Sequence, residues 1–314
     1  MTDSTMERYD VAVVGGGPAG LSAALILLRA RRRVVVIDAG EPRNARSTRL
    51  HGFLGRDGDS PADFLARGRA EIRQYGGVFI EGVAVDARPQ DQGFKVTLGD
   101  GRELSAGQLM VTTGLHDELP SVPGVSERWG VDVVHCPMCH GWEARDERVG
   151  VLAVNAMAVD MAMTLKQWAP DIRLFSNSYE PTREQHAALA ARGVSVVPGT
   201  VAGLDIQDDR LVGLTMANGR SVPCSVLFVT PSAIANDDLL VKLGAEVQSS
   251  PPMGSRVVTD RIGRTCVPGV WAAGNVTDPS AQVIIAAGDA ARAASALNGL
   301  MIREEIAGAT ALGE

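Results

Sequence analysis

Two short apolar runs with a helical stretch between them open the chain. Residues 9–14 form an apolar run, residues 21–29 carry apolar side chains at helical spacing, and residues 33–37 form a second, β-branched run. This order predicts a strand, a helix and a parallel strand, that is, a β-α-β unit.

Further along, the hydrophobic pattern changes to short alternating runs. Residues 77–109 alternate around a turn at residues 99–101, which predicts a β-meander, and residues 109–113 form a buried strand. A linker with two prolines follows at residues 117–124. Beyond it, the pattern predicts strands at 148–154 and 172–175, a helix between them at 156–168, and a hairpin around Asn218-Gly219.

The second half of the chain repeats the plan of the first. The buried strand and turn of residues 110–114 return at 226–230. A second linker is predicted at Ser249-Ser250-Pro251-Pro252, before a strand at 270–273 and a small-residue helix from about 281 to 300. We therefore predict an α/β fold in which one nucleotide-binding domain interrupts another of the same plan.

Composition and charge exclude several classes. The chain has 314 residues, 45% of them hydrophobic, which is enough for a substantial core. Its net charge of -7 argues against a nucleic-acid partner, since phosphate binding needs a basic face. No apolar run is long enough to cross a bilayer, and residues 1–7 lack the order of a secretion signal, so we expect a cytoplasmic protein with no membrane partner.

A glycine-rich loop follows the first predicted strand. Gly15, Gly17 and Gly20 satisfy G-x-G-x-x-G, and Asp38 ends the second strand. In this context Gly15 permits a tight turn, Gly17 lets the backbone approach a pyrophosphate, and Gly20 lets helix and strand pack closely. Since a strand, a helix and an acid for a ribose hydroxyl surround the loop, a dinucleotide site is favoured over an ordinary glycine loop.

Two of the four cysteines lie close together. Cys136 and Cys139 form a C-x-x-C motif at the start of a predicted helix, where adjacent turns bring both sulfurs within bonding distance and the helix N-terminus favours a thiolate. This favours a redox pair. A zinc site would need two further ligands, for which His135 and His140 are candidates, and an inert pair is the other alternative. We expect no metal.

His140 directly follows the second cysteine and is the predicted general base. A neutral imidazole with a pKa near ~6.5 can take a proton from a thiol with a pKa near ~8.5. His135 and His51 are weaker candidates. Trp142 and Glu143 either line the pocket or serve packing and a surface cap, and the sequence leaves these roles open.

These motifs together resemble the low-molecular-weight thioredoxin reductases. The resemblance rests on residues 15–20, Thr113-Gly114, the motif at 136–139, and residues 269–275 with 281–283. It implies two Rossmann-like domains of three-layer ββα type, an FAD-binding domain at 1–117 and 250–314, an inserted NADPH-domain-like lobe at 118–249, and a homodimer. The implied FAD contacts are Gly15, Gly17, Pro18, Ala19, Gly20, Asp38, Ala39, Thr113, Gly114, Gly274, Asn275, Gln282 and Val283. Asn275 stands where such flavoproteins usually have an Asp.

The inserted lobe departs from that family at its nucleotide loop. Ala153, Asn155 and Ala158 stand at the glycine positions, and their side chains would crowd a pyrophosphate. After the next strand, residues 176–178 read Ser-Asn-Ser and offer no cation to a 2′-phosphate. We predict that this lobe keeps its fold and that NADPH is not used.

A second departure follows the cysteines. Residues 140–143 read His-Gly-Trp-Glu where thioredoxin reductases generally continue with an Asp. Together with residues 38–44 and 51–54, they resemble the thioredoxin-reductase-like dithiol oxidases of the gliotoxin, holomycin and romidepsin pathways. That resemblance implies an FAD-dependent enzyme that closes a disulfide in a small dithiol natural product and passes the electrons to O2, giving H2O2. It places Cys139 toward the flavin and Cys136 toward the substrate.

Two other readings stay open at the level of sequence. One is an NAD(P)H-dependent reductase of thioredoxin or of a low-molecular-weight disulfide, with an unusual nucleotide loop. The other is a flavin-bound redox sensor, which no feature of the sequence favours. Whether a dithiol oxidase would serve biosynthesis or self-protection is not encoded in these motifs.

Overall fold

The computed structural model describes residues 7–251 and 254–311. The chain divides into two compact units. Unit 1 contains the residues up to Ala45, Pro61–His116 and the residues from Ala233 onward, and unit 2 contains Arg46–Ser60 and Asp117–Ser232. The domain bounds predicted from the sequence differ in two places. Residues 46–60 join unit 2, and the chain returns to unit 1 at Ala233 instead of residue 250 because the strands that follow pair with one another.

The core of unit 1 is a mostly parallel sheet. Its strands run in the order β3-β2-β1-β6 in parallel, and β6, β5 and β4 form the antiparallel meander that the alternating pattern predicted. Because β1, β2 and β6 are parallel, the loops that follow them lie at one edge. The elements are β1 (Arg8–Val14), α1 (Pro18–Arg29), β2 (Val34–Asp38), α2 (Pro61–Gln74), β3 (Val78–Glu81), β4 (Ala84–Gln90), β5 (Gly93–Leu98) and β6 (Glu103–Val111).

Unit 2 repeats this architecture. Five parallel strands lie in the order β11-β10-β9-β15-β8, and β12, β13 and β14 form a second antiparallel meander. The predicted second Rossmann-like domain is therefore confirmed. The elements from the first crossing onward are β7 (Leu115–Glu118), α3 (Val125–Arg128), β8 (Val133–Val134), α4 (Pro137–His140), β9 (Val149–Leu152), α5 (Met157–Leu165), β10 (Ile172–Phe175), α6 (Arg183–Ala191), β11 (Ser195–Val197), β12 (Val201–Gln207), β13 (Arg210–Met216), β14 (Ser221–Pro223) and β15 (Val226–Val229).

The C-terminal part completes unit 1. The linker predicted at residues 249–252 was wrong in its first half, because Ser249 pairs with Ser255 in an antiparallel hairpin, whereas Pro252 lies outside the described residues. β19 adds a parallel strand beside β6. The elements are β16 (Ser232–Ala235), α7 (Asp238–Lys242), β17 (Val247–Ser250), β18 (Gly254–Val257), β19 (Val270–Ala272), a 3-10 turn (Gly274–Val276) and α8 (Val283–Ala311).

Small side chains let α8 pack closely in the core of unit 1. Ala290 and Ala294 of α8 and Ala23 and Ala24 of α1 are all fully buried in one cluster. A methyl side chain allows helix axes to approach closely while it still removes apolar surface from water. None of the described helices is both long and apolar enough to span a membrane.

A buried ion network joins α3 to the meander of unit 2. The Arg128 guanidinium donates to the Asp132 carboxylate at 2.9 and 2.6 Å and to the Asp209 carbonyl at 2.9 Å. Asp132 also accepts from the Leu211 amide at 2.9 Å. Arg128 is 8% exposed, whereas the Asp209 side chain is 92% exposed. The pair of Arg128 with Asp132 is therefore the shielded part of the network.

Replacing Arg128 should cost stability because it leaves the largely shielded Asp132 carboxylate without its counter-ion. We expect Arg128→Met to lower the free energy of unfolding by about 3 kcal/mol, since Asp132 loses its counter-ion. Asp209→Asn removes a solvated charge from the same network, so its cost should stay below about 1 kcal/mol. Urea unfolding of the three proteins measures the difference, and equal losses in both variants would contradict this account.

Candidate active site

The glycine loop of unit 1 lies where β1 and β6 end. Gly15 has φ +103°, and a Cβ there would lie 2.5 Å from the Thr112 carbonyl oxygen, so only glycine fits this turn. The buried Thr112 hydroxyl donates to the Gly15 carbonyl at 2.9 Å. Sequence reasoning did not single out Thr112, because its role depends on the pairing of β6 with β1. Gly20 packs against Gly15 in the same turn.

The N-terminus of α1 is open to a ligand. Gly17 is the N-cap residue, no side chain caps the first turn, and a Cβ on Gly17 would meet no atom within 4 Å. Pro18, Ala19 and Gly20 form the first turn. Free backbone amides and the positive end of the helix dipole, beside an open space, suit a pyrophosphate.

Asp38 faces the same loop from the end of β2. Its Oδ1 accepts from the Gly16 amide at 2.9 Å, and its Oδ2 accepts from the Arg69 guanidinium at 2.6 Å. A carboxylate has further acceptor capacity for a ribose hydroxyl. Arg69 was missed from the sequence because α2 carries no motif. Ala39 follows Asp38 and is exposed.

Asn275 stands in the turn after β19. Gly274 has φ +79°, and a Cβ there would lie 2.8 Å from the Ala19 Cβ, so the turn packs on the start of α1. The Asn275 amide donates to the carbonyls of Asp278 at 3.0 Å and Ala281 at 2.9 Å, which a carboxylate could not do. These two hydrogen bonds, which hold the turn before α8, therefore explain why Asn275 stands where such flavoproteins usually have an Asp. The amide oxygen stays available to a ribityl hydroxyl.

The remaining predicted contacts lie at the ends of β6 and the start of α8. The Thr113 hydroxyl donates to the Asn236 carbonyl at 2.7 Å, and the Asn236 amide donates to the Gly114 carbonyl at 3.0 Å. Val283 begins α8, and Gln282 directly precedes it. All thirteen residues predicted from the resemblance thus belong to unit 1, and the space at Gly17, the open helix end and the acceptors of Asp38 and Asn275 fit the pyrophosphate and hydroxyl groups of FAD.

The open space at Gly17 allows a direct test of that fit. Its φ of -75° suits any residue and no protein atom is near, so Gly17→Val should fold normally but fill the pyrophosphate space. We expect the purified variant to retain less than about a tenth of the flavin of the parent. Gly288→Ala on α8, where a Cβ also meets open space, is the matched control. A full flavin-to-protein absorbance ratio in Gly17→Val would contradict the assignment.

The cysteine pair lies on α4 of unit 2. Cys136 and Cys139 are joined by a disulfide, with their Cα atoms 5.2 Å apart, and both are partly exposed. Cys136 is the N-cap of α4, and its carbonyl accepts from the amides of Cys139 and His140, each at 3.1 Å. Within the described residues no cluster of three His, Cys, Asp or Glu could hold a metal ion. The two cysteines therefore form a disulfide at the start of α4.

Close packing fixes the end of α4. A Cβ on Gly141 would lie 2.7 Å from the Trp168 ring, so glycine is needed where this turn meets Trp168. The chain then continues its turns, and the Ala144 amide donates to the His140 carbonyl at 3.1 Å. Since residues three apart share one face of a helical turn, Glu143 lies beside His140.

The environment of His140 suits a base. Burial lowers the pKa of His140, while a backbone hydrogen bond with Cys136 and the negative charge of Glu143 oppose that shift. Its Nδ1 is buried and has no hydrogen-bond partner among the described residues. A neutral ring with a free nitrogen can accept a proton.

A second segment brings His51 to this face. The His51 Nε2 lies 3.4 Å from Glu143 Oε1, and its Nδ1 lies 3.3 Å from Asp57 Oδ1. The Gly52 amide donates to Asp57 at 2.9 Å, and this hydrogen bond, with His51, lowers the pKa of Asp57. The sequence left the roles of His51 and Glu143 open and missed Asp57, because residues 46–60 reach unit 2 only through the tertiary fold.

Other side chains near the motif have different surroundings. His135 packs its ring 5.4 Å from that of Trp129. The exposed Trp142 ring carries the Arg145 guanidinium 4.6 Å above its centre. Met138 and Leu54 are exposed as well, so apolar side chains lie on both segments that form the site.

In the nucleotide loop of unit 2, a side chain of the loop already binds one backbone amide. The Asn155 Oδ1 accepts from the Met157 amide at 3.0 Å, and thereby satisfies the amide at the start of α5. Ala153 and Ala158 are fully buried. Unlike the first turn of α1, this helix start therefore has one backbone amide bonded to a side chain.

The segment after β10 also uses its polar groups internally. The buried Ser176 hydroxyl accepts from the Gly199 amide at 3.2 Å, and the Asn177 Oδ1 accepts from the Val201 amide at 3.1 Å. The first cation after β10 in the chain is Arg183, exposed at the start of α6. These hydrogen bonds fix the loop without a ligand.

Known proteins share the fold and much of the sequence. Thioredoxin reductase tcpT of Claviceps purpurea is 31% identical over 287 residues, which cover 87% of this chain and 88% of that protein. A probable thioredoxin reductase of Arthroderma benhamiae is 36% identical over 184 residues, and that match spans 56% of this chain and only 46% of the relative.

A solved structure matches over nearly the whole chain. The crystal structure of HlmI has a TM-score of 0.93 and 46% sequence identity, covering 97% of this chain and 96% of HlmI. The family described as pyridine nucleotide-disulphide oxidoreductase matches residues 9–294. The chain is therefore a thioredoxin-reductase-like oxidoreductase and belongs to the pyridine nucleotide-disulphide oxidoreductase family, whose members typically bind FAD.

Proposed function

We propose that this protein is an FAD-dependent dithiol oxidase that forms an intramolecular disulfide in a small natural product, a dithiolopyrrolone or a similar compound. The overall reaction converts one dithiol and one O2 into one cyclic disulfide and one H2O2. The observation that carries the proposal is the disulfide of Cys136 and Cys139 beside a half-buried histidine, within a unit whose nucleotide loop is hydrogen-bonded by Asn155. A cytoplasmic homodimer and the absence of nucleic-acid and membrane partners stay predictions.

The chemistry at the cysteines is thiol-disulfide exchange. A substrate thiolate attacks the Cys136 sulfur, the bond to Cys139 breaks, and Cys139 leaves as a thiolate. The second substrate thiol then attacks the substrate sulfur of the mixed disulfide and releases Cys136. The product is a cyclic disulfide, and the protein pair has gained two electrons. When bound, FAD supplies the electron acceptor that restores the protein disulfide and reacts with O2.

His140 prepares the substrate for that attack. Its neutral ring takes the proton from the first substrate thiol, which the lowered pKa allows at neutral pH. As the pH falls through the pKa of His140, which burial holds below the ordinary value of a histidine, the ring becomes protonated and can no longer accept, so the rate should fall on the acid side.

We expect His140→Gln to lower the rate of dithiol oxidation about 100-fold and to remove this acid limb. Initial rates measured from pH 5 to pH 8 test both effects in one series, with parent and variant loaded with equal amounts of flavin. A variant with the parent's acid limb would show that another group titrates.

Unit 2 supports electron entry from a thiol instead of a nicotinamide. Asn155 covers the start of α5, and Ser176 and Asn177 are engaged with the backbone. A pyrophosphate would have to displace the Asn155 side chain, and a 2′-phosphate would find no arginine at residues 176–178. We therefore propose that NADPH is not used.

The relatives' names favour a second candidate, an NAD(P)H-dependent disulfide reductase. Oxygen uptake with a panel of small dithiols separates the two. We expect uptake with stoichiometric H2O2 from dithiols that close small rings, and much slower uptake from matched monothiols, which cannot resolve the mixed disulfide internally. No uptake with any dithiol, together with fast NADPH-dependent reduction of disulfides, would establish the reductase.

A further inference from the structure

One carboxylate in unit 2 is shared between two histidines. Glu143 lies one helical turn from His140 and contacts His51 at 3.4 Å. Burial lowers the pKa of His140. The negative charge of Glu143 raises that pKa, whereas the charge of His51 lowers it further. His51, Glu143 and the Cys136 backbone are thus the groups that face the His140 ring electrostatically.

His51 is itself held on both sides. One ring nitrogen faces Asp57 at 3.3 Å and the other faces Glu143 at 3.4 Å. Asp57 is fixed in turn by the Gly52 amide at 2.9 Å. The His51 side chain is only 19% exposed, whereas the Glu143 side chain is 45% exposed. The more exposed carboxylate of Glu143 is therefore held by a ring that is largely shielded from solvent.

We propose that Glu143, held in place by His51 and Asp57, is the positioning residue for His140: its carboxylate stabilises the imidazolium that forms when His140 takes the substrate proton. That the substrate thiol supplies this proton rests on the proposed function. The step moves one proton from the substrate sulfur to the His140 ring and needs no further reactant. A base oriented and charge-compensated by a neighbouring carboxylate is an arrangement that activates nucleophiles generally.

An ordinary surface ion pair would not have this effect, and unit 2 contains one. His186 Nε2 lies 3.2 Å from Glu180 Oε1, with side chains 42% and 65% exposed. That pair has the same chemistry as His51 with Glu143, but Glu180 is not among the groups that shift the pKa of His140. Glu180→Gln is therefore a matched control for Glu143→Gln.

The decisive measurement is an NMR titration of the His140 ring protons in the flavin-loaded protein. Glu143→Gln should lower the pKa of His140, and Glu180→Gln should leave it unchanged. In a His51→Gln background the effect of Glu143→Gln should shrink, because the carboxylate is no longer held against His140. An unmoved titration in Glu143→Gln would overturn the proposal, and an undiminished shift in the His51→Gln background would overturn the role of His51.

Kinetics give a second readout. Glu143→Gln should lower kcat for the dithiol about tenfold with little change in KM and move the acid limb to lower pH, whereas Glu180→Gln should change neither. Since the NMR titration needs no substrate, a protein that oxidises no dithiol would defeat the proposed function and leave the titration result standing. An active enzyme with an unmoved His140 titration would defeat only the positioning role.

Discussion

Cys136→Ser and Cys139→Ser should each abolish dithiol oxidation and leave the protein yellow. One sulfur alone cannot form the disulfide that accepts two electrons, so we expect turnover to fall by more than about a thousandfold. The flavin should stay bound because the residues that fit it all belong to unit 1, whereas both cysteines belong to unit 2. Steady-state oxygen uptake and the flavin-to-protein absorbance ratio measure the two effects.

The same two variants assign the roles of the sulfurs. With Cys139→Ser, the Cys136 thiolate should attack an added 2-pyridyl mixed disulfide of a monothiol analogue and release pyridine-2-thione, and the analogue should stay on Cys136 as a mixed disulfide that mass spectrometry detects after tryptic digestion. Cys266→Ser, which changes an exposed cysteine of unit 1, is the control and should keep full activity. Colourless variants would show that the pair is structural, and attachment at Cys139 in Cys136→Ser would reverse the assignment.

The second large effect concerns binding of the nicotinamide nucleotide. We expect NADPH to bind with a Kd above about 1 mM, roughly a thousandfold weaker than the micromolar affinity of a working cofactor site. The physical reason is that Asn155 already satisfies the start of α5 and that no arginine stands at residues 176–178. Isothermal titration of the flavin-loaded protein measures the affinity.

A variant of the same loop sharpens this titration. Asn155→Gly removes the covering side chain and frees the Met157 amide, so it should strengthen binding of NADPH, though only modestly because residues 176–178 still lack a cation. Saturable binding of NADPH by the parent protein at micromolar concentrations would contradict the claim that this loop does not bind the nucleotide. Weaker binding by Asn155→Gly than by the parent would show that Asn155 contacts the nucleotide instead of excluding it.

The parts of the fold that the sequence predicted depend on local signals. The β-α-β unit around Gly15 and the hairpin at Asn218-Gly219 combine hydrophobic periodicity with glycine turns, and both occur within a few residues of their predicted bounds. The hairpin of β17 and β18 lies where the sequence predicts a linker, because Ser249 and its neighbours are polar. Its pairing comes from the partner strand, which local composition does not reveal.

The candidate site likewise has one part that local sequence signals predict and one part that they do not. The cysteines and His140 form one contiguous motif, so the sequence alone could predict a redox pair with a base beside it. His51 and Asp57 are distant from that motif in sequence, and only the folding of residues 46–60 onto unit 2 brings them to Glu143. Arg69 likewise reaches Asp38 from a helix without a motif. Contacts that require two distant segments could not be predicted from one sequence.

The central claim is that electrons enter this flavoprotein from substrate sulfur. Anaerobic mixing of the flavin-loaded protein with a small dithiol, and separately with NADPH, tests it by the loss of visible flavin absorbance. We predict bleaching within seconds by a stoichiometric amount of dithiol and no bleaching by NADPH in large excess. Rapid bleaching by NADPH, with the dithiol inert, would contradict the account.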